Sequence, residues 1–194
     1  YNTALGYNSL FSNTTGYNNT ALGLHSLYSN TTGYSNTALG NYALRSNTTG
    51  YYNTGIGHAS LQLNTTGNRN TGIGYASLYS NTTGNYNTGI GYFAGRYIDG
   101  GTDPNETSNN SVYLGYDTRA LADGDTNEIV IGAGAIGAGS NSVTLGNTSI
   151  TKTVLRGAVT IAETAATSDL DKFAVLDSGV IKYRTGTEVL SDIG

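Results

Sequence analysis

One glycine recurs every seventeen residues through the first half of the chain. Gly6, Gly23, Gly40, Gly57, Gly74 and Gly91 each close a five-residue unit, NTALG at 2–6, 19–23 and 36–40 and NTGIG at 53–57, 70–74 and 87–91. A second constant piece, SNTTG, lies between these units at 12–16, 29–33, 46–50 and 80–84, with LNTTG at 63–67. A fixed period of this length marks a chain that stacks like units along one axis, each touching mainly its neighbours.

The unit is too short for a helical repeat, and its pattern reads as short strands closed by glycine. Strand alternation places Thr3 and Leu5 on one face and Asn2 and Ala4 on the other. The Leu5 position continues as Leu22, Leu39, Ile56, Ile73 and Ile90; always aliphatic, it is expected to be core. A second apolar site follows at Leu10, Leu27, Leu44, Leu61 and Leu78, which predicts a second strand per coil. The fold expected is all-β, a parallel β-solenoid over residues 1–98 with Asn and Thr side chains stacked between coils. Few large apolar residues per coil leave little with which one chain covers its own core, which predicts a homotrimer. Ala4, Ala21 and Ala38 give way to Gly55, Gly72 and Gly89, so a close backbone approach is expected there, at the oligomer axis.

Composition narrows the function classes. Of 194 residues 28 are Gly, 16 are Tyr, only 11% are charged, and Cys, Met and Trp are absent. So many aromatics at such low charge argue against disorder, and the lack of Cys removes disulfides and thiolate metal sites. No run of about 18 apolar residues is present to insert into a membrane. No leader is visible, and the start at Tyr1, inside a repeat, reads as a piece of something longer. Residues 1–98 carry Arg45, Arg69 and Arg96 and no acid; all 13 acidic residues lie from Asp99 onward. Nothing resembles a basic nucleic-acid footprint.

GRYIDGGTDPNETSN at 95–109 breaks the pattern, holds the sole proline, Pro104, and reads as an inserted loop over 99–109. The repeat returns as NSVYLG at 110–115, NEIVIG at 127–132 and NSVTLG at 141–146, with glycine steps of 17 and then 14. Val112, Ile129 and Val143 take the slot of Thr3, and Leu114, Ile131 and Leu145 that of Leu5. NSVxLG at a 14-residue spacing resembles the head repeat of YadA-like trimeric autotransporter adhesins, closely over 110–146 and more loosely over 1–98. The resemblance implies a left-handed parallel β-roll with three chains side by side.

Beyond Gly146 the character changes. NTSITKTVLRGAVTIA at 147–162 alternates β-branched and polar residues as an extended neck strand would. FAVL and VIKY around Asp177-Ser178-Gly179 predict a β-hairpin, and TGTEVLSDIG at the end reads as a short helical turn. NTALG and SNTTG repeats followed by VLDSGVIKYRT resemble the shaft of a phage tail fibre or related virion fibre. In those proteins such a segment often precedes a C-terminal chaperone domain that is cleaved after trimerisation; this sequence is expected to lack one. The resemblances imply attachment to a host surface, as a virion fibre or as a bacterial surface adhesin.

Candidate chemistry is sparse. Glycan cleavage by a carboxylate pair needs two carboxyls roughly 5–10 Å apart. Asp99, Asp103, Glu106, Asp117, Asp123, Asp125 and Glu128 are the only candidates near the insertion, and solvated loop charge is the preferred reading. Asp123-Gly-Asp125-Thr-Asn127 opens like a calcium loop, but Glu128 stands at its sixth position and Gly134 at its twelfth, so only a looser oxygen site is conceivable; otherwise no cofactor is expected. His25 and His58 lack partners in sequence and read as surface residues. NTT at Asn13, Asn30, Asn47, Asn64 and Asn81 matches the glycosylation pattern, with a structural ladder preferred. Paired threonines such as Thr14-Thr15 would stack about 4.8 Å apart and suggest ice binding as a lesser alternative.

Recognition of a host surface glycan or other receptor falls to Tyr7, Tyr28, Tyr34, Tyr75, Tyr79 and Tyr92, with Tyr42 and Tyr51, beside Arg45 and Arg96. An exposed aromatic ring stacks on a sugar while neighbouring polar groups bond its hydroxyls. Packing between neighbouring chains is the competing role for the same rings.

Overall fold

A computed structural model describes residues 1–154 in full and the backbone of 172–177 and 180–185. The chain divides into two compact units, Tyr1–Thr151 and Lys152–Gly194. The first is a parallel β-solenoid. Its nine three-residue strands are β1 (Thr3–Leu5), β2 (Thr20–Leu22), β3 (Thr37–Leu39), β4 (Thr54–Ile56), β5 (Thr71–Ile73), β6 (Thr88–Ile90), β7 (Val112–Leu114), β8 (Ile129–Ile131) and β9 (Val143–Leu145). They pair in chain order in one parallel sheet. Thr3 lies opposite Thr20, Thr88 opposite Val112 and Ile129 opposite Val143. Among the described residues there is no helix.

Each coil has one strand, not two. The expected second strand, at the Leu10 site, is a turn in left-handed backbone, with φ between 48° and 53° at Leu10, Leu27, Leu44, Leu61 and Leu78. Its amides still bond to the next coil: Leu44 N–H donates to the Ser60 carbonyl at 3.0 Å. The cost of that backbone, roughly 1–2 kcal/mol for an L-residue, is offset by burial. Leu27, Leu44, Leu61 and Leu78 are fully buried and fill the interior, each worth about 1.5–3 kcal/mol.

The burial of the strands reverses the expectation for the Leu5 row. Alternation holds, but Ala21, Ala38, Tyr113 and Val130 point inward and are buried. Leu5 (69% exposed), Leu22 (45%), Leu114 (41%) and Leu145 (50%) point outward, as does Ile90, while Leu39, Ile56, Ile73 and Ile131 are half-buried. The reason is room: the inward strand position faces the leucine turn, and two large side chains do not fit. A Cβ on Gly55 would stand 3.3 Å from Leu44 Cγ, and one on Gly89 only 2.7 Å from Leu78 Cγ. The small residues therefore serve this chain's own core, which corrects their placement at an oligomer axis. Size reverses at β7, where Tyr113 enters the core over Gly95; a Cβ on Gly95 would lie 2.6 Å from Tyr113 Cδ2.

Two buried asparagine rows bind coil to coil. Asn47 Nδ2–H donates to the Gly50 carbonyl at 3.0 Å and to Asn30 Oδ1 of the preceding coil at 2.8 Å. Asn36 Nδ2–H donates to the same Gly50 carbonyl at 2.8 Å, and Asn36 Oδ1 accepts the Asn53 N–H at 2.9 Å. Both lone pairs of that carbonyl are used, and the pattern recurs at Gly33 and Gly67. Buried amides are tolerated because they are paired. This explains the constant Asn and Gly of NTTG: a Cβ on Gly50 would meet Asn47 Oδ1 at 2.4 Å. Gly40 is fixed differently, by φ of 137° and a carbonyl of Gly57 that a Cβ would approach to 2.6 Å.

The insertion is shorter than its sequence suggests. Tyr97 and Pro104 pair in an antiparallel bridge, and Asn105 N–H returns to the Arg96 carbonyl at 3.1 Å. From Asn105 the coil resumes: Glu106 takes the carbonyl role of Thr65, accepting Thr82 N–H at 2.9 Å, and the Ser108 carbonyl replaces that of a glycine for Asn87 Nδ2–H. In the second unit, β10 (Lys172–Asp177) and β11 (Val180–Thr185) pair antiparallel, with Asp177 opposite Val180. Residues 147–154 carry no strand and include a turn closed by Ile150 N–H on the Asn147 carbonyl. The rest of the expected neck strand and the C-terminal helical turn lie outside the described residues.

Candidate binding surface

Side chains that vary between coils are gathered on the two margins of the sheet. The chain leaves each strand through the glycine and enters the first margin, where stacking propagates from coil to coil. Tyr7 meets His25 at 5.8 Å between ring centroids, His25 meets Tyr42 edge-on at 5.6 Å, and Tyr42 meets His58 at 5.8 Å. His58, Tyr75, Tyr92 and Tyr116 then stack in turn at 5.0, 5.1 and 5.4 Å. Tyr28 joins through His25 at 5.0 Å. Arg45 lies over Tyr42 at 5.8 Å, and Arg96 is enclosed by Tyr79, Phe93 and Tyr97 at 4.4, 4.4 and 4.7 Å.

The second margin precedes each strand. Tyr17, Tyr34 and Tyr51 stack at 5.1 and 4.9 Å with rings parallel to within 7°. Asn68 and Asn85 continue the row as an amide ladder: Asn68 N–H donates to Asn85 Oδ1 at 2.9 Å. Arg69 stands among the rings of Tyr51, Tyr52 and Tyr86 and donates to the Tyr86 hydroxyl. Partial burial, then the neighbouring phenols of Tyr52, Tyr51 and Tyr17, raise the Tyr34 phenol above its ordinary 10.0.

Of the residues singled out from sequence, Tyr7, Tyr28, Tyr75, Tyr79, Tyr92, Arg45 and Arg96 belong to the first margin; Tyr34 is separated from them on the second. The stacked rings spend their faces on each other, at about 0.5–1.5 kcal/mol per pair. Stacking of a sugar on each ring face, the expected mode, is therefore restricted to faces no neighbour covers. Sequence reasoning missed Arg69, Tyr17, Tyr52, Tyr86 and Tyr97. A count in steps of seventeen would have found the first four of these, since Tyr17, Tyr34 and Tyr51 share one position, as do Tyr52, Arg69 and Tyr86.

Asp117, Asp123, Asp125 and Glu128 are held by the fold. Asp123 Oδ1 accepts the N–H of Glu106 at 2.7 Å and of Thr107 at 2.8 Å, and Asp125 Oδ1 accepts Ser140 N–H at 3.1 Å. Asn127 Nδ2–H donates to Asn141 Oδ1 at 3.1 Å. These bonds give the calcium-like run a role in joining coils. Asp117 pairs with Arg119, whose guanidinium is raised above its ordinary value chiefly by that hydrogen bond. Glu128 is inside the solenoid, accepting Gly139 N–H at 2.9 Å, with the Tyr113 hydroxyl donating at 3.4 Å. Burial raises its carboxyl above the ordinary 4.5 and pushes the Tyr113 phenol up to about 12. A cavity of about 290 Å³ is lined by Gly134, Ile136, Thr144, Gly146, Asn147 and Thr148, with no titratable side chain. Asn30, Asn47, Asn64 and Asn81 are buried with both amide groups engaged, which removes them as glycan acceptors.

Family models, curated proteins and solved structures were each compared with the chain, and none matches. Among the described residues no helix is long and apolar enough to cross a membrane.

Proposed function

We propose that the chain is a structural fibre protein for attachment to a host cell surface, most simply a phage tail fibre segment on the virion, working as a homotrimer. The observation that carries this reading is the outward aliphatic row on β1–β9, from Leu5 to Leu145. It runs without a gap through the insertion and the change of repeat, over eight strand spacings, roughly 40 Å at about 4.8 Å each. A monomer rarely exposes so long an apolar stripe. A three-fold axis would bury three equivalent stripes against one another and leave both aromatic margins facing solvent, where attachment needs them.

A bacterial surface adhesin of trimeric type shares every feature of this design and is the second reading. A receptor-bearing host separates the two: phage-blocking by the soluble chain favours the fibre, and adhesion conferred on a surface-displaying bacterium favours the adhesin. The paired threonines, Thr14-Thr15, Thr31-Thr32 and their copies, keep ice binding as a distinct alternative. Thermal hysteresis from a monomeric chain would support it; a trimer without hysteresis ends it. For the fibre, sedimentation of Ile56→Asp against the native chain is decisive. The native chain should sediment as a trimer and the variant as folded monomers.

A further inference from the structure

We infer that the first margin binds a linear polyuronate along the row Tyr28, Arg45, Gln62, Tyr79 and Arg96, the carboxylates of the polysaccharide pairing with the two guanidiniums. The inference rests on the attachment reading and names its ligand chemistry. The five residues occupy one position of successive coils, after the buried leucine in the first four and after Gly95 at Arg96, and all are half-exposed. Coils are spaced by about 4.8 Å, close to the advance of one sugar in an extended polysaccharide, so the row offers one planar or hydrogen-bonding side chain per sugar.

Charge selects an acidic chain over a neutral one. Residues 1–98 hold three arginines and no acid. Among the described residues the only ion pair is Arg119 with Asp117, and none of them brings a carboxylate within 4.0 Å of Arg45 or Arg96. The nearest acid in sequence to Arg96, Asp99, turns its Oδ1 to the Gly100 N–H at 2.8 Å. Each guanidinium is instead positioned by aromatic rings, and its Nε is buried without a partner. A ring fixes the plane of a guanidinium while leaving its outer N–H edge free, and that edge matches a carboxylate with two parallel bonds. Flanked by rings, without a carboxylate partner among the described residues and three coils apart, the pair suits a ligand carrying repeated carboxylates.

The test uses the full chain with polygalacturonate, with its methyl-esterified form, and with oligothymidylate as a different polyanion, all read by interferometry on immobilised protein. Binding of polygalacturonate, none of the methyl ester and weaker binding of oligothymidylate are expected. Arg45→Gln with Arg96→Gln should weaken it, by roughly tenfold per guanidinium, at an unchanged melting temperature, while Arg69→Gln on the other margin should not. Absence of polygalacturonate binding, equal binding of the methyl ester or of oligothymidylate, or indifference to the double variant would overturn the inference. If the chain is then still trimeric and adheres to cells, the attachment reading stands and only the ligand class fails.

Discussion

At the scale of the residue, two positions fix whether a coil forms. Asn47 donates to Gly50 and Asn30 and accepts from Asn64, so Asn47→Ala strips partners from buried polar groups on three coils. Each group left unpaired costs roughly 1–3 kcal/mol. Urea denaturation should show a loss of about 2 kcal/mol or more. Leu44 is a core residue at φ of 50°. Leu44→Ala should cost about 2–5 kcal/mol through the cavity it leaves. Leu44→Ile conserves volume, yet a β-branched residue resists positive φ. It should be far more destabilising than a buried Leu→Ile exchange at ordinary backbone, which usually costs under about 1.5 kcal/mol; a melting curve decides.

At the scale of the element, the junction at β7 is where the interior changes chemistry. Gly95 makes room for Tyr113, and Tyr113 in turn meets Glu128. Gly95→Ala and Tyr113→Leu should be non-additive in a double-mutant cycle, because the smaller ring-less side chain relieves the contact that the new methyl makes. Glu128 supplies the pH dependence. Its proton is held more tightly in the folded than in the unfolded state, so its contribution is complete below pH 4.5 and declines as pH rises through the raised value. Glu128→Gln should melt higher than the native chain at pH 7, with the gap closing toward pH 4. An equal gap at both values would contradict the assignment.

The same scale shows what could be read before the structure and why the rest could not. The seventeen-residue glycine step and the alternation in NTALG were enough for stacked parallel strands, because backbone periodicity needs no knowledge of the interior. Which face is inside was not legible. Thr3 and Leu5 share a face, and taking the aliphatic residue as buried applies a rule that runs one way only. The deciding facts were tertiary: Leu10 and its copies enter from a turn no propensity would assign to leucine, and they leave room only for Ala or Gly opposite. The candidate surface was legible by composition, since Tyr and Arg vary where the frame does not. Its division into two margins, with Tyr34 apart from Tyr75 and Tyr92, depends on which side of the strand each turn lies.

At the scale of the whole molecule, the solenoid separates two tasks. Over residues 1–98 the leucine turn fills the coils and the asparagine ladders join each to the next, and Tyr113 and Val130 fill the later coils, so the described interior is built from one chain. The outward row from Leu5 to Leu145 is then surplus to folding, and association is its proposed role. Substituting that row should change assembly and leave the coils folded, whereas substituting Leu27, Leu44 or Leu61 should unfold them. The most direct measurement is sedimentation equilibrium of the intact chain beside its Leu39→Asp, Ile56→Asp and Ile73→Asp variants, with circular dichroism on the same samples. The prediction is three chains per particle for the native protein and folded single chains for the variants. A native protein that sediments as a stable, folded monomer would contradict it.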